Sequence, residues 1–160
     1  GRPSPGLIPR GRMSQPYNCP DCGAVHPDGS TCPEVFGRLL ALEMTDPGFG
    51  QVHLFTVACY MIQHNGYSDP ALVWMERQLR DHLAGTPAAE IRRRSAQEVS
   101  QAERKWKVTR QPGDRPLPRV AWSRTIADAD RAAGDPAAYQ AAVTAWARAV
   151  VEEMRPLLPR

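Results

Sequence analysis

The sequence predicts an all-α fold, a compact helical bundle with a zinc knuckle at its N-terminal end. Apolar residues recur at helical spacing in several segments, which is typical of amphipathic helices. Capping residues or prolines precede most of these segments, where they would start a helix. Four cysteines in a chain without a recognisable secretory signal favour a metal site over disulfides.

The first two predicted helices follow the early cysteines. Thr31 and Glu34 have the spacing of a capping box, which opens a helix that runs to about Met44. Residues 46–48, with the sequence Asp-Pro-Gly, end this helix. The next segment, about residues 50–64, is apolar on almost every face, and such a helix is usually central to its fold.

Polar caps, proline and glycine bound the third and fourth predicted helices. Ser68, which an aspartate and a proline follow, starts the third helix, and Gly85 is a suitable stop. Pro87 begins a fourth and more polar helix that extends to roughly Lys107. Its inward residues are sparse, and Trp106 is the largest of them.

The C-terminal part contains a proline-rich loop and two further predicted helices. Residues 112–118 include three prolines, which are too many for a helix. A short helical stretch near residues 126–133 leads to Asp135, a cap for the last helix. Apolar residues recur on one side of that helix until Pro156 ends it.

The chain is predicted to form one domain after a short foreign segment. Residues 7–11 resemble an engineered protease site and Met13 resembles a natural start, so we interpret residues 1–12 as a tag. Residues 13–160 then form a single helical domain with the zinc knuckle at 17–33. Because no apolar run is long enough to span a membrane, we expect a cytoplasmic protein without a membrane partner.

Three cysteines and one histidine have the chemistry of a zinc site. Cys19 and Cys22 form a Cys-x2-Cys turn that directs two thiolates to one point, and Cys32 follows nearby. His53 lies on an apolar segment, where a buried imidazole needs a partner. These four residues would complete the tetrahedral nitrogen and sulfur shell that Zn²⁺ prefers.

The fourth ligand has three other candidates. His26 is close to Cys22 in sequence but lies in a polar loop, and His64 ends the predicted central helix. Cys59 is more typical of a small buried hydrophobic residue. A metal-free or redox-active Cys-x2-Cys pair is the alternative to zinc, although that redox motif usually belongs to an α/β fold.

A polar stripe follows one face of the predicted central helix. His53, Thr56, Tyr60 and His64 lie at offsets of 0, 3, 7 and 11 residues. The two histidines are roughly 16 Å apart along the axis, so they cannot bind the same ion. If His53 binds the metal, Tyr60 and His64 are candidate catalytic residues in a pocket; the alternative is that they only fix the packing.

Positive charge is concentrated in one part of the sequence. Residues 13–160 carry equal numbers of acidic and basic side chains, but residues 91–124 carry ten basic and three acidic ones. Arg93, Arg94 and Trp122 are therefore candidate ligand-binding residues. The neutral total charge argues against nucleic-acid binding, and local pairs such as Glu90 with Arg94 offer a role that needs no ligand.

The order of these motifs resembles a small bacterial family that is catalogued only as a domain of unknown function. The resemblance extends from about residue 17 to residue 150, and it depends on residues 19–24, 31–32, 36, 39–41, 43, 53, 56–57, 60, 63–64, 92–94, 122, 125–128 and 146–147. It implies a helical, metal-binding protein and supplies no activity. One departure is Asn65, where the family pattern would have proline.

These observations lead to one functional hypothesis and two alternatives. The leading hypothesis is a zinc-binding helical protein with a structural Cys3His site, which binds a protein partner or a small-molecule ligand. The first alternative is a metal-dependent or acid–base enzyme with a pocket lined by Tyr60 and His64. The second is a nucleic-acid-associated regulator that acts through residues 92–119.

Overall fold

The structure, a computed structural model, describes residues 15–102 and 107–160, with the side chains of residues 99–102 left aside. Within these ranges the chain is mostly helical, as predicted. The elements, in chain order, are β1 (Tyr17–Asn18), β2 (Val25–His26), α1 (Cys32–Thr45), α2 (Pro47–Gly50), α3 (His53–Gln63), α4 (Asp69–Leu83), α5 (Ala88–Ala102), α6 (Ile126–Arg131), α7 (Pro136–Glu153) and a 3-10 turn (Arg155–Leu157). The predicted tag at 1–12 and the predicted inward residue Trp106 lie outside the described residues.

A small β-hairpin was not predicted. Strands β1 and β2 are antiparallel, with Tyr17 opposite His26 and Asn18 opposite Val25. Two residues per strand are too few to show the alternation that reveals a strand in a sequence. Nor does so short a ribbon have independent stability in water.

The predicted caps begin the helices. The Thr31 side chain accepts a hydrogen bond from the Glu34 amide, and the Glu34 carboxylate accepts one from the Thr31 amide at 2.8 Å. The side chains of Ser68 and Asp135 each accept one hydrogen bond from a backbone amide in the first turn of α4 and of α7, respectively. Each cap satisfies amide groups that have no partner inside the helix.

Helix α7 supplies much of the hydrophobic core. Its predicted apolar stripe is fully buried, and the helix packs against α2, α3, α4 and α6. The indole Nε1 of Trp146 donates a hydrogen bond to Gln63 Oε1 at 3.1 Å, and Gln63 Nε2 donates to the Arg124 carbonyl at 2.8 Å. These bonds attach the end of α3 to the core and to the segment before α6.

Helices α1 and α3 run in opposite directions on either side of α2. The Phe36 and Tyr60 rings stack with centroids 3.8 Å apart, while Glu43 contacts His53 further along. A Cβ atom at Gly50 would lie only 2.7 Å from the Glu43 carbonyl oxygen, so glycine permits this close turn. The start of α1 therefore lies beside the end of α3.

Among the described residues, no helix has both the length and the apolar character that crossing a membrane requires.

Candidate metal centre

Four possible metal ligands meet between the hairpin, α1 and α3. The sulfur atoms of Cys19, Cys22 and Cys32 and a ring nitrogen of His64 all lie within 4.8 Å of one another. The Cys22 and Cys32 sulfurs are 3.7 Å apart, and His64 Nε2 is 3.7 Å from the Cys19 sulfur. A tetrahedral ion with Zn–S bonds of about 2.3 Å and a Zn–N bond of about 2.0 Å would separate its ligand atoms by about 3.5–3.8 Å. Both of these 3.7 Å distances fit such an ion.

The hairpin turn holds the first two sulfurs in place. Gly23 has φ +82°, and its amide donates a hydrogen bond to the Cys19 carbonyl at 3.0 Å. The Cys22 amide donates to the Cys19 sulfur at 3.5 Å, and the Ala24 amide donates to the Cys22 sulfur at 3.4 Å. Amide donors stabilise thiolates, the form of cysteine that binds a metal.

The third sulfur belongs to the first residue of α1. Thr31 is the N-cap, so Cys32 occupies the first helical turn and is buried. The N-terminal end of a helix carries a partial positive charge that favours a negative ligand.

The fourth ligand position is held from its outer side. His64 Nδ1 lies 2.8 Å from the Tyr60 carbonyl oxygen, which can only accept a hydrogen bond, so Nδ1 carries the proton. In the neutral imidazole, Nε2 is then the lone-pair atom, and it faces the sulfurs. Metal-ligating histidines usually have their second nitrogen fixed in this way.

Of these groups, Cys22 is already biased toward the form that binds a metal, whereas His64 and Cys32 would have to lose a proton. The hydrogen bond with Cys32 is the main reason that the pKa of Cys22 falls to about 4, against the effect of burial. Burial disfavours the imidazolium of His64, but bonds with Cys22 and with the Tyr60 carbonyl raise its pKa to about 9. Cys32, beside the Cys22 thiolate, has a raised pKa. A thiolate and an imidazolium therefore form a pair before any metal arrives.

His26 contacts this group without joining it. Its Nε2 lies 3.2 Å from the Cys32 sulfur, and the residue is buried. Its Nδ1 is buried without a hydrogen-bond partner among the described residues. His26 is not among the four residues whose ligand atoms lie within 4.8 Å of one another. Its position suits a hydrogen bond to the Cys32 sulfur rather than direct binding to a metal ion.

His53, the predicted fourth ligand, lies at the other end of α3. Its Nδ1 is 2.7 Å from Glu43 Oε1 rather than near a sulfur. Helices α1 and α3 are antiparallel. The start of α1, with Cys32, therefore lies beside the end of α3, and the end of α1, with Glu43, lies beside the start of α3. The geometry therefore favours His64, a weighed alternative, over His53.

The family model of DUF5946, described as a family of unknown function, matches residues 17–155. This chain belongs to that family. The resemblance inferred from the sequence is thus confirmed, and the matched range contains all four candidate ligands. No curated protein and no solved structure matches the chain.

The other candidates have different surroundings. Cys59 is fully buried among core residues, and burial raises the pKa of its thiol. Tyr60, proposed as catalytic, lies between two rings, with Phe36 on one side and the His64 ring on the other at 4.1 Å. Stacking on both sides gives Tyr60 a packing role next to the ligand His64.

The structure does not bring the three ligand-binding candidates together. Arg93 pairs with Glu90, and Arg94 pairs with Asp81 and with Glu90, as the local pairing alternative predicted. Trp122 instead lines a cavity of about 50 Å³ beside residues 117–120.

Glu43 is the polar residue that the sequence analysis missed. It is buried, as are Val35 and Leu39, which precede it by eight and four residues on α1. This four-residue spacing places all three on the face toward the core. An acid on the apolar face of a helix was the signal that could have identified it.

Proposed function

We propose that this protein binds one Zn²⁺ ion through Cys19, Cys22, Cys32 and His64, and that the ion is structural. The observation that carries the proposal is the meeting of three sulfurs and one imidazole nitrogen within 4.8 Å. Thiolate and imidazole ligands suit Zn²⁺. Four protein ligands fill a tetrahedral shell and leave no position for a substrate, which is typical of structural sites.

The ion would attach the hairpin to the helices. Cys19 and Cys22 belong to the hairpin, Cys32 to α1 and His64 to the end of α3, so one ion would join three segments. The two-residue strands have little stability of their own. In this proposal the zinc knuckle is the head of a helical bundle whose surface binds a protein partner or a small ligand.

The two alternative functions have less support. An enzyme pocket lined by Tyr60 and His64 conflicts with the stacking of Tyr60 and with the position of His64 among the sulfurs. A nucleic-acid interface needs accessible cations, whereas Arg110 and Arg115 both pair with Asp69, and Arg93 and Arg94 are also paired. Internal ion pairs of this kind need no phosphate partner.

A matched pair of histidine variants tests the assignment. His64→Ala and His53→Ala remove the same group from the two ends of α3. We expect wild type and His53→Ala to hold one zinc per chain, measured by elemental analysis after dialysis. His64→Ala should bind zinc about a hundredfold more weakly or worse, because the loss of a direct ligand should cost at least as much as the loss of an outer-shell partner.

Cobalt substitution provides the geometric readout. Co²⁺ in a tetrahedral site with three thiolates should give intense visible absorption bands in wild type and in His53→Ala. Circular dichroism checks that both variants are folded. Wild-type zinc affinity in a folded His64→Ala protein would contradict the proposed ligand set.

A further inference from the structure

A second polar cluster lies at the opposite end of the α1–α3 pair, around Glu43. The Glu43 side chain is fully buried. One carboxylate oxygen accepts hydrogen bonds from Thr56 Oγ1 at 2.5 Å and from Tyr139 Oη at 2.6 Å. The other oxygen lies 2.7 Å from His53 Nδ1. Every oxygen of this buried acid thus has a defined partner.

His53 is the partner of Glu43 whose side chain is able to carry a positive charge. Thr56 and Tyr139 are neutral donors, and burial together with Glu43 raises the pKa of the Tyr139 phenol further above its ordinary value. In the described part of the chain, no arginine or lysine bonds to Glu43. His53 is therefore the side chain bonded to Glu43 that could offset the buried carboxylate.

His53 also lines a small cavity. Nδ1 is engaged by Glu43, while 45% of the side chain remains exposed, which leaves Nε2 as the ring nitrogen that has no partner among the described residues. The cavity has a volume of about 110 Å³ and is lined by Gly50, Gln51, His53, Leu54, Ala88 and Arg92. This lining holds one guanidinium, one imidazole and one side-chain amide, without an acid.

Arg92 differs from the two arginines that follow it. Arg93 and Arg94 are held in ion pairs with Glu90 and Asp81. No partner bonds to Arg92 within residues 15–102 and 107–160. The arginine that faces the cavity is therefore available to a ligand.

We propose that this cavity binds a small oxyanion, a phosphate or carboxylate group, between His53 Nε2–H and the Arg92 guanidinium. The Arg92 guanidinium makes charge-assisted hydrogen bonds to such oxygens, and the His53 ring donates one when Nε2 carries a proton. Val52, the N-cap of α3, offers no side-chain hydrogen bond, so the positive end of this helix adds to the attraction. The volume is well below the roughly 300–1,000 Å³ of pockets for drug-sized ligands. The site therefore takes an anionic group rather than a large molecule.

Titration with inorganic phosphate tests this proposal on the zinc-loaded protein. Nuclear magnetic resonance of the histidine ring nitrogens follows His53 directly, and a second titration uses acetate. We expect a saturable shift of the His53 Nε2 resonance. Saturation by phosphate alone or by acetate alone supports the site and defines its ligand class, whereas saturation by neither overturns the proposal.

Adjacent arginines provide the matched control. Arg92→Gln should weaken binding about tenfold or more, since one charge-assisted contact is lost. Arg93→Gln removes the same charge one position away, outside the cavity, and should leave the affinity unchanged. An equal loss in both variants would mean that the anion senses only the general charge of α5, and the proposed site would be wrong.

Discussion

The two ends of the α1–α3 pair each hold a histidine, but the histidines have different partners. His64 lies among three cysteine sulfurs, whereas His53 bonds to the single carboxylate of Glu43. Soft thiolates together with an imidazole suit a metal ion, while one buried carboxylate provides a hydrogen-bond acceptor for a ring nitrogen. The comparison shows that the partner, rather than the histidine itself, decides the chemistry at each end.

The antiparallel packing of α1 and α3 determines which residues His64 and His53 contact. His64 is 45 residues from Cys19 in sequence, yet it lies 3.7 Å from that sulfur. His53 is closer to the cysteines along the chain and lies at the far end of α3. Three predictions test whether the two ends of the α1–α3 pair contribute independently to stability. They are given from the largest expected effect on stability to the smallest.

Disruption of the candidate metal centre should have the largest effect on the stability of the protein. Zinc removal by a chelator, or the variant Cys22→Ser, should lower the melting temperature by about 10 °C or more, since the proposed ion would join three segments. Differential scanning calorimetry and elemental analysis should show that zinc content and melting temperature fall together. Cys59→Ala, which removes a thiol outside the ligand set, should keep its zinc. A Cys22→Ser protein that melts like wild type would contradict the structural role of the ion.

Loss of the carboxylate end should have a smaller effect on stability and none on zinc. Glu43→Ala leaves the Thr56 and Tyr139 hydroxyls without their acceptor, which should lower the free energy of unfolding by about 2–3 kcal/mol. Glu43→Gln keeps an acceptor oxygen and should cost less. Urea denaturation measures both variants. If Glu43→Ala loses its zinc while it remains folded, the two ends are coupled and the comparison fails.

Between about pH 4 and 9, the free energy of unfolding of the metal-free protein should change by no more than about 1.4 kcal/mol per pH unit, the slope for one proton. The pKa of Cys22 falls from 9.0 to about 4, so between about pH 4 and 6.5 the folded chain binds one proton fewer and stability rises with pH. Between 6.5 and about 9 the proton kept by His64 offsets this, and stability should stay level. Above about pH 9 the raised pKa values of Cys32 and of the buried Cys59 should both make stability fall.

Urea midpoints across this pH range measure the profile. Cys22→Ser should remove the rise between pH 4 and 6.5, because serine does not titrate there. The prediction fails if the variant keeps the full slope of the wild type.

Local chemistry made most of the helices predictable. Caps such as Thr31 and Ser68 act within one turn, so their effect can be inferred from the sequence alone. The apolar stripe of α7 was predictable for the same reason, because the spacing of its residues along one face of the helix can be read from the sequence. The hairpin has no such signal, because two residues cannot show a period.

The candidate site was only partly predictable for a different reason. Cys19, Cys22 and Cys32 lie close in sequence, so their meeting needed no knowledge of the fold. The fourth ligand depends on which end of α3 faces Cys32, which only the packing of α1 against α3 decides. A short connection between two helices favours antiparallel neighbours, and that argument would have selected His64.

The hydrogen bond between Trp146 and Gln63 places an optical reporter next to the candidate metal centre. Gln63 immediately precedes His64, and the indole that it holds is completely shielded from water. Departure of the ion would release the end of α3 and alter the surroundings of that indole. Tryptophan emission can therefore follow loading of the centre without any attached dye.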